Sequence, residues 1–350
     1  MLSYDVFEWG KPLKRAERET PMPNGTEVLL RLKYCGVCHS DVHIRDGYFE
    51  LGGGKRLHMS ERGMNPPVTL GHEPYGTVIA AGPEAGDVPM GADRLVYPWT
   101  GCGACARCCE GMDNYCTAPR MIGIQRPGGY ADHLLVPHPR YLIDAGGIDP
   151  AWAATLSCSG LSTYSAVSKL NPIPRDEWVA VIGAGGLGLS AIAMLRAMGH
   201  ERIIAVDIDA AKLDAAGKAG AAAMLNSRDA EAPKKLQQIA GGPIYGAVDL
   251  VGTSETASLV LGALRKGGRL ILVGLYGGEI PLSVVATIQR ALTIQGSHLG
   301  TVAELRTVVA LAREGKLQPI PIQKRPLSEV SRTLDELKVG AIVGRVVAET

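Results

Sequence analysis

The chain has 350 residues, 46% of them hydrophobic and 20% charged, which is the make-up of a folded protein with room for two domains. With 36 Lys and Arg against 35 Asp and Glu, the formal net charge is only +1, and aromatics are 5% of residues. That balance gives no basis for electrostatic capture of nucleic acid or an anionic membrane, and the few aromatics do not supply a base-stacking platform.

The opening stretch MLSYDVFEWGKPLKRAERE carries acids early and lacks an apolar h-region, and no window approaches the length of a membrane span. The expectation is a cytoplasmic protein without signal peptide or transmembrane helix, whose thiols stay reduced. Next, YCGVCHSDVH contributes Cys35, Cys38 and Asp41, and TLGHEPYGTV contributes His72 and Glu73. The segment GCGACARCCEGMDNYC then packs in five of the eight cysteines. Cys102, Cys105, Cys108 and Cys116 read C-x2-C-x2-C-x7-C, with Gly101, Gly103 and Gly111 as permissive backbone for a knuckle. Four thiolates close a tetrahedral zinc site, so this one is expected to be structural. Cys109 breaks the x2 spacing and is left unligated. The alternatives are disulfides, buried thiols or a four-cysteine iron–sulfur cluster.

Further on, LSCSGLSTYSAV supplies Cys158. Cys38, His72 and Cys158 together make three ligands and leave one zinc position open for water or substrate. Glu73 can visit the metal or sit behind its ligands, and Asp41 can orient a ligating histidine through its other ring nitrogen. Taken singly, each such cysteine also fits a small buried hydrophobe.

After the proline-bearing NPIPRDE comes EWVAVIGAGGLGLSAIAMLRAMG. The apolar run 178–182 predicts a buried parallel strand, and the Ala-, Leu- and Met-rich run up to Gly199 predicts a helix. Between them Gly183, Gly185 and Gly188 fit G-x-G-x-x-G, with Gly186 and Leu187 completing the cofactor-binding turn. The first glycine makes the tight turn, the second lets backbone approach a pyrophosphate, and the third packs helix on strand. The helix N-terminus receives the phosphate charge. RIIAVDIDAAKL follows as a second strand ending at Asp207, nineteen positions after Gly188. Asp207 can accept from both adenosine ribose hydroxyls and would repel a 2′-phosphate, which selects NAD over NADP. Lys212 can cover that ribose. Strands are predicted at 221–225, 246–252, 269–275 and 291–297. With helical segments between most of them, they make a doubly wound parallel sheet of about six strands.

The segments CGVCHSDVH, GHE, the four-cysteine lobe, VIGAGGLGLSAI and the closing GRVV resemble, nearly end to end, the zinc-dependent medium-chain alcohol dehydrogenases. GYFELGGGKRL, YPWTGCGAC, RPGGYADHLLVPHPRYL and LTIQGSHLGTVAELR are similar to bacterial members of the 6-hydroxyhexanoate dehydrogenase type, which oxidise the terminal hydroxyl of an ω-hydroxy acid. The resemblance implies an α/β protein. A GroES-like, partly open β-barrel catalytic domain would span 1–153 and 297–350. A Rossmann domain would span 154–296, with the active site in the cleft between them. It implies two zincs per chain, one catalytic and one structural, with NAD as cofactor and a small alcohol, aldehyde or ketone as partner. It also implies a homo-tetramer.

By the same resemblance Ser40 takes the alcohol proton, which passes by way of the nicotinamide ribose to His43, a residue whose unperturbed pKa is about 6.5. His39 approaches the cofactor pyrophosphate or faces solvent. Trp99 lines the alcohol pocket or stays in the core. Thr163 touches nicotinamide, with Ser162 as the competing choice. The stretch from His43 to His72 is long for this family, and the loop at 47–67 within it, with GGGKRLHMSERG, reads as a polar, glycine-bearing surface loop or a subunit contact. Within it Lys55, Arg56 and Arg62, and beyond it Arg126, could guide a substrate carboxylate. Without such contacts the pocket would take plain primary, secondary or cyclic alcohols. A more distant alternative is an NAD-binding thiol redox sensor without turnover.

Overall fold

Six short runs rich in Val, Ile, Leu and Ala pair into one all-parallel sheet in the computed structural model, which describes residues 1–350. In spatial order they are Ala223–Asn226, Ile203–Asp207, Val179–Ile182, Ile244–Asp249, Leu264–Leu272 and Thr293–Gly296. All four residues of Val179–Ile182 and all six of Ile244–Asp249 are buried, as strands covered by helices on both faces must be. Helix Gly186–Ala197 supplies part of that cover, burying Leu189, Ile192, Met194 and Leu195. The strand order reverses between Val179–Ile182 and Ile244–Asp249, and this Rossmann switch point opens a crevice beyond their carboxyl ends.

One strand departs from expectation. The run predicted from 269 begins at Leu264, ahead of the turn-like Arg265-Lys266-Gly267-Gly268. Leu264 pairs with Ile244, and a register shift before Gly246 absorbs the irregular stretch. Backbone ladder bonds do not require apolar side chains, so composition misplaced this start.

The other half is a mainly antiparallel, seven-stranded sheet built around Val28–Val37. That long strand pairs with Pro74–Ala81, His133–Val136 and, from the far end of the chain, Arg345–Glu349. The tail strand lies opposite Tyr34 to Val37, which brings Arg345 to the end of the strand that runs into Cys38. Helices Pro150–Thr155, Leu161–Ser168 and Val302–Arg313 pack at the junction, and one apolar core continues from Val28 and Leu30 through Leu161 and Val308 to Val181 and Leu189.

The stretch 47–67 is not a plain solvated loop. Tyr48–Gly52 and Lys55–His58 form a β hairpin, followed by the 3-10 turn Met59–Arg62. Gly52, Gly53 and Gly54 all take positive φ at its tip, which glycine alone adopts cheaply. The tip leans on the nucleotide-binding half. A Cβ on Gly277 would meet the Glu50 carbonyl at 2.3 Å, and one on Gly52 would meet Glu279 Cγ at 2.5 Å. No helix is long and apolar enough to cross a membrane.

Candidate active site

Between the two halves lies a cavity of roughly 480 Å³. Cys38 ends the long strand's outward run and caps helix His39–Asp46. His72 and Glu73 precede the neighbouring strand Pro74–Ala81. Cys158 sits on a π-helical turn, Leu156–Gly160, between two α-helices, a local widening common at functional sites. One ligand atom from each of Cys38, His72, Glu73 and Cys158 lies within 4.8 Å of all the others, and all four residues are buried. Cys38 Sγ and Cys158 Sγ are 3.9 Å apart. Two thiolates on one tetrahedral zinc with bonds of about 2.3 Å stand about 3.8 Å apart, whereas a disulfide is about 2.05 Å long.

Asp41 organises the histidine. Its Oδ1 lies 3.0 Å from His72 Nδ1, while Oδ2 accepts from the Tyr130 hydroxyl at 2.7 Å and the Cys38 N–H at 3.1 Å. His72 Nε2 is then buried without any partner, as is Glu73 Oε2. Buried polar atoms are rarely left unpaired unless something fills the gap. Two orphan acceptors beside two thiols fit a zinc ion. The other oxygen of Glu73 pairs with the buried Arg345 guanidinium. Burial lifts the Glu73 pKa to about 7 against the downward pull of Arg345.

The second cysteine cluster is equally compact. Cys102, Cys105, Cys108 and Cys116 converge within the same 4.8 Å limit. Cys105 Sγ is 3.5 Å from Cys108 Sγ and 3.8 Å from Cys116 Sγ. Backbone N–H groups of Cys102 and Ala118 point at Cys116 Sγ, both at 3.3 Å. A Cβ on Gly101 would meet Cys108 Sγ at 2.3 Å, so close approach requires that glycine. The fifth thiol, Cys109, is exposed and faces the Ala104 carbonyl.

On the opposite wall Gly183 turns with φ +90°, and a Cβ on Gly188 would meet the Gly183 carbonyl at 1.9 Å. Gly185 has open space where its side chain would be, so a phosphate can approach the N-terminus of helix Gly186–Ala197. Asp207 ties this turn to the second strand, accepting from Ala184 N–H at 2.6 Å and Ile208 N–H at 2.7 Å. Leu187 and Lys212 also line the cavity.

Of the remaining residues, His39, Ser40, His43 and Trp99 reach the cavity. Trp99 is anchored by its indole N–H to the Ser157 carbonyl at 2.9 Å, with its ring centroid 5.1 Å from His72. His43 packs against Phe49, His39 and Tyr276. Burial, then the His39 charge, push its pKa down to about 4, so it is neutral at pH 7 and does not switch near 6.5. Of the two choices Thr163 and Ser162, Thr163 stands back from the cavity. It is fully buried, its hydroxyl donates to the Ser159 carbonyl at 2.7 Å, and Ser162 lines the cavity in its place. Among the four candidate carboxylate readers, Arg56 pairs with Glu50 at 2.9 Å, while Lys55 and Arg126 are absent from the cavity wall. Only Arg62 lines it.

Arg345, Tyr276 and Phe49 were not picked out from the sequence. Arg345 lies 272 positions from Glu73, and its one signal was its place in the closing GRVV. Tyr276 reaches His39 from the other half of the molecule, at 5.0 Å between ring centroids.

Two family profiles match the chain: an alcohol dehydrogenase GroES-like domain over residues 24–145 and a zinc-binding dehydrogenase over 186–314. The NAD-dependent alcohol dehydrogenase of Sulfurisphaera tokodaii is 35% identical over 348 residues, 99% of each chain. That of Saccharolobus solfataricus is 34% identical, again over 99% of each chain. The crystal structure of the alcohol dehydrogenase from Aeropyrum pernix covers both chains completely, with a TM-score of 0.90 at 28% identity. A buried Cys-His-Cys cluster and a glycine turn lining one cavity, in a chain with full-length relatives of this identity, lead to one assignment: the chain belongs to the zinc-dependent medium-chain alcohol dehydrogenase family.

Proposed function

We infer that this chain oxidises small alcohols to aldehydes or ketones with NAD, and runs the reverse reduction. One observation carries the reading: a single cavity is lined both by Cys38 and Cys158 and by the glycine turn with Asp207. Cys38, His72 and Cys158 would hold the catalytic zinc, with Glu73 adjoining it, and the four-cysteine lobe would hold a structural zinc. When bound, the catalytic zinc acidifies the alcohol hydroxyl and NAD accepts the hydride.

Cys38 and Cys158 bring thiolates to a position fixed by the strand end and the π turn. Asp41 keeps the His72 ring oriented, so that Nε2 points into the cluster without a proton. The Ser40 hydroxyl would accept the alcohol proton as it gives up its own to the next group in the relay. His43, three residues on and so on the same helix face, takes it toward solvent. With its pKa pushed down to about 4 it is neutral at pH 7 and a weak base, so it would pass the proton on to solvent rather than keep it. Trp99 and the apolar neighbours Met121, Ile124 and Leu299 keep water from the reacting carbon. The Asp207 carboxylate accepts from the ribose and disfavours NADP.

Metal analysis and NADH formation test this together. Two zincs per chain are expected, with NADH formed from 1-hexanol or cyclohexanol and far less product from NADP. Zero zinc, or zinc-loaded protein silent with every alcohol, would overturn the reading. Asp41→Asn keeps the side-chain size but removes the charge behind His72. It should cost about 10- to 100-fold in zinc affinity or kcat/KM. Dialysis against a graded chelator would reveal the loss, and an unchanged zinc affinity and kcat/KM would rule out the orienting role.

The finer substrate reading is a terminal ω-hydroxy acid such as 6-hydroxyhexanoate, supported by the subgroup-like segments. The apolar walls favour a second reading, plain primary, secondary or cyclic alcohols. A cytoplasmic homo-oligomer, tetrameric by analogy, completes the proposal. Edge strand Thr293–Gly296 has one neighbour, and helix Val284–Gln289 beside it exposes Val284 at 70% and Ile288 at 71%. An open edge flanked by apolar side chains is what self-association covers.

A further inference from the structure

Resting on the alcohol dehydrogenase reading, we propose that Arg62 is the residue that selects substrates carrying a carboxylate remote from the hydroxyl. Every other strong cation of the cavity is accounted for. Arg345 pairs with Glu73, and Lys212 lines the cavity together with Asp207 and the glycine turn, where a nucleotide would lie. Arg62 is half-buried, makes no ion pair and has no side-chain hydrogen bond. The acids nearest in sequence are committed elsewhere: Glu50 pairs with Arg56 at 2.9 Å, and Glu61 accepts the His58 N–H at 3.1 Å.

The fold holds this free guanidinium in place. Met59, fully buried, pins the 3-10 turn, and Gly63 ends it with φ +74°. Arg62 lies 5.8 Å from the ring centre of Phe49, whose own centroid is 5.4 Å from that of His43. Arg62 lines the same cavity as His43, Trp99 and Cys38. Burial pulls its pKa below the ordinary guanidinium value, the sign of an incompletely solvated charge.

An unpaired cation among apolar walls calls for an anion. One planar guanidinium offers a two-pronged fork that matches one carboxylate. Bound to Arg62, the substrate's acid end would fix the chain, leaving its hydroxyl end toward Cys38 and Ser40. The substrate class is then a hydroxy acid with an apolar spacer.

The test compares 6-hydroxyhexanoate with 1-hexanol, using NAD and zinc-loaded enzyme, in wild type, Arg62→Ala and Arg62→Lys. The expected result is a wild-type preference for the acid in kcat/KM. The acid-to-alcohol ratio should fall about 10- to 100-fold in Arg62→Ala, mostly through KM, as befits a charge-assisted hydrogen bond. Arg62→Lys should recover part of the ratio, since it keeps charge but loses the fork. A ratio unmoved by Arg62→Ala, or a wild type without acid preference, would overturn the assignment. Wild type active on 1-hexanol but not on the acid would end this inference and leave the dehydrogenase standing. Activity on no alcohol would end both.

Discussion

Cys38→Ala should lower kcat by about 10⁴-fold or more while leaving the protein folded and able to bind NADH. Its Sγ is one of two buried sulfurs in the cluster, 3.9 Å from the other. Without it only His72 and Cys158 remain as strong ligands, because Glu73 is already shared with Arg345. Metal analysis should therefore fall from two zincs to one. Zinc lowers the pKa of bound water from 15.7 toward about 7, and would acidify a bound alcohol in the same way. Losing that acidity removes several kcal/mol of barrier reduction, at about 1.4 kcal/mol per tenfold in rate. The backbone has no reason to fail. Cys38 caps its helix through a backbone N–H to Asp41, which alanine retains, and the glycine turn lies on the opposite wall. NADH fluorescence titration would separate lost chemistry from lost fold. A variant with one zinc and kcat within tenfold of wild type would remove this cluster from the mechanism.

Cys105→Ala should instead lower Tm by about 10 °C or render the protein insoluble. Its thiol sits 3.5 and 3.8 Å from two of the other three. Structural zinc sites contribute about 10–16 kcal/mol of apparent binding in small zinc domains. Here the lobe can open locally, so only part of that reaches global stability. A share of about 7 kcal/mol would give the stated shift in a chain of this size, at about 2.1 cal/mol/K of unfolding entropy per residue. The lobe is also wired to the body. Asp113 accepts from Arg140 and Tyr141, both at 2.7 Å, and Asn114 donates to the His298 carbonyl at 3.0 Å. His298 lines the cavity, so partial loss of activity should accompany the loss of heat resistance. Cys109→Ala is the control and should leave Tm and zinc content alone, because that thiol is exposed and outside the cluster. If Cys109→Ala were the damaging change and Cys105→Ala harmless, the ligand set would be wrong.

What could be read from the chain alone was whatever local geometry dictates. C-x2-C spacing turns thiolates onto one point within a few residues. A strand, G-x-G-x-x-G and an apolar helix define their own turn, and here Gly188 meets Gly183 as that motif requires. The six-stranded sheet was legible because its buried runs are short, apolar and separated by helical stretches. Three other features were decided by the tertiary structure. Ser162 rather than Thr163 faces the cavity because adjacent helical residues point about 100° apart, and only packing sets the helix's rotation. Arg345 meets Glu73 because the last strand returns to pair with Val28–Val37, a contact that no local pattern encodes. Arg62 stands free over the cavity because the hairpin before it folds onto the other half and its neighbouring acids find partners elsewhere. The sequence by itself therefore determined which chemistry this protein carries. Its tertiary structure decided which side chains meet the substrate, because direction and pairing depend on contacts between residues far apart along the chain.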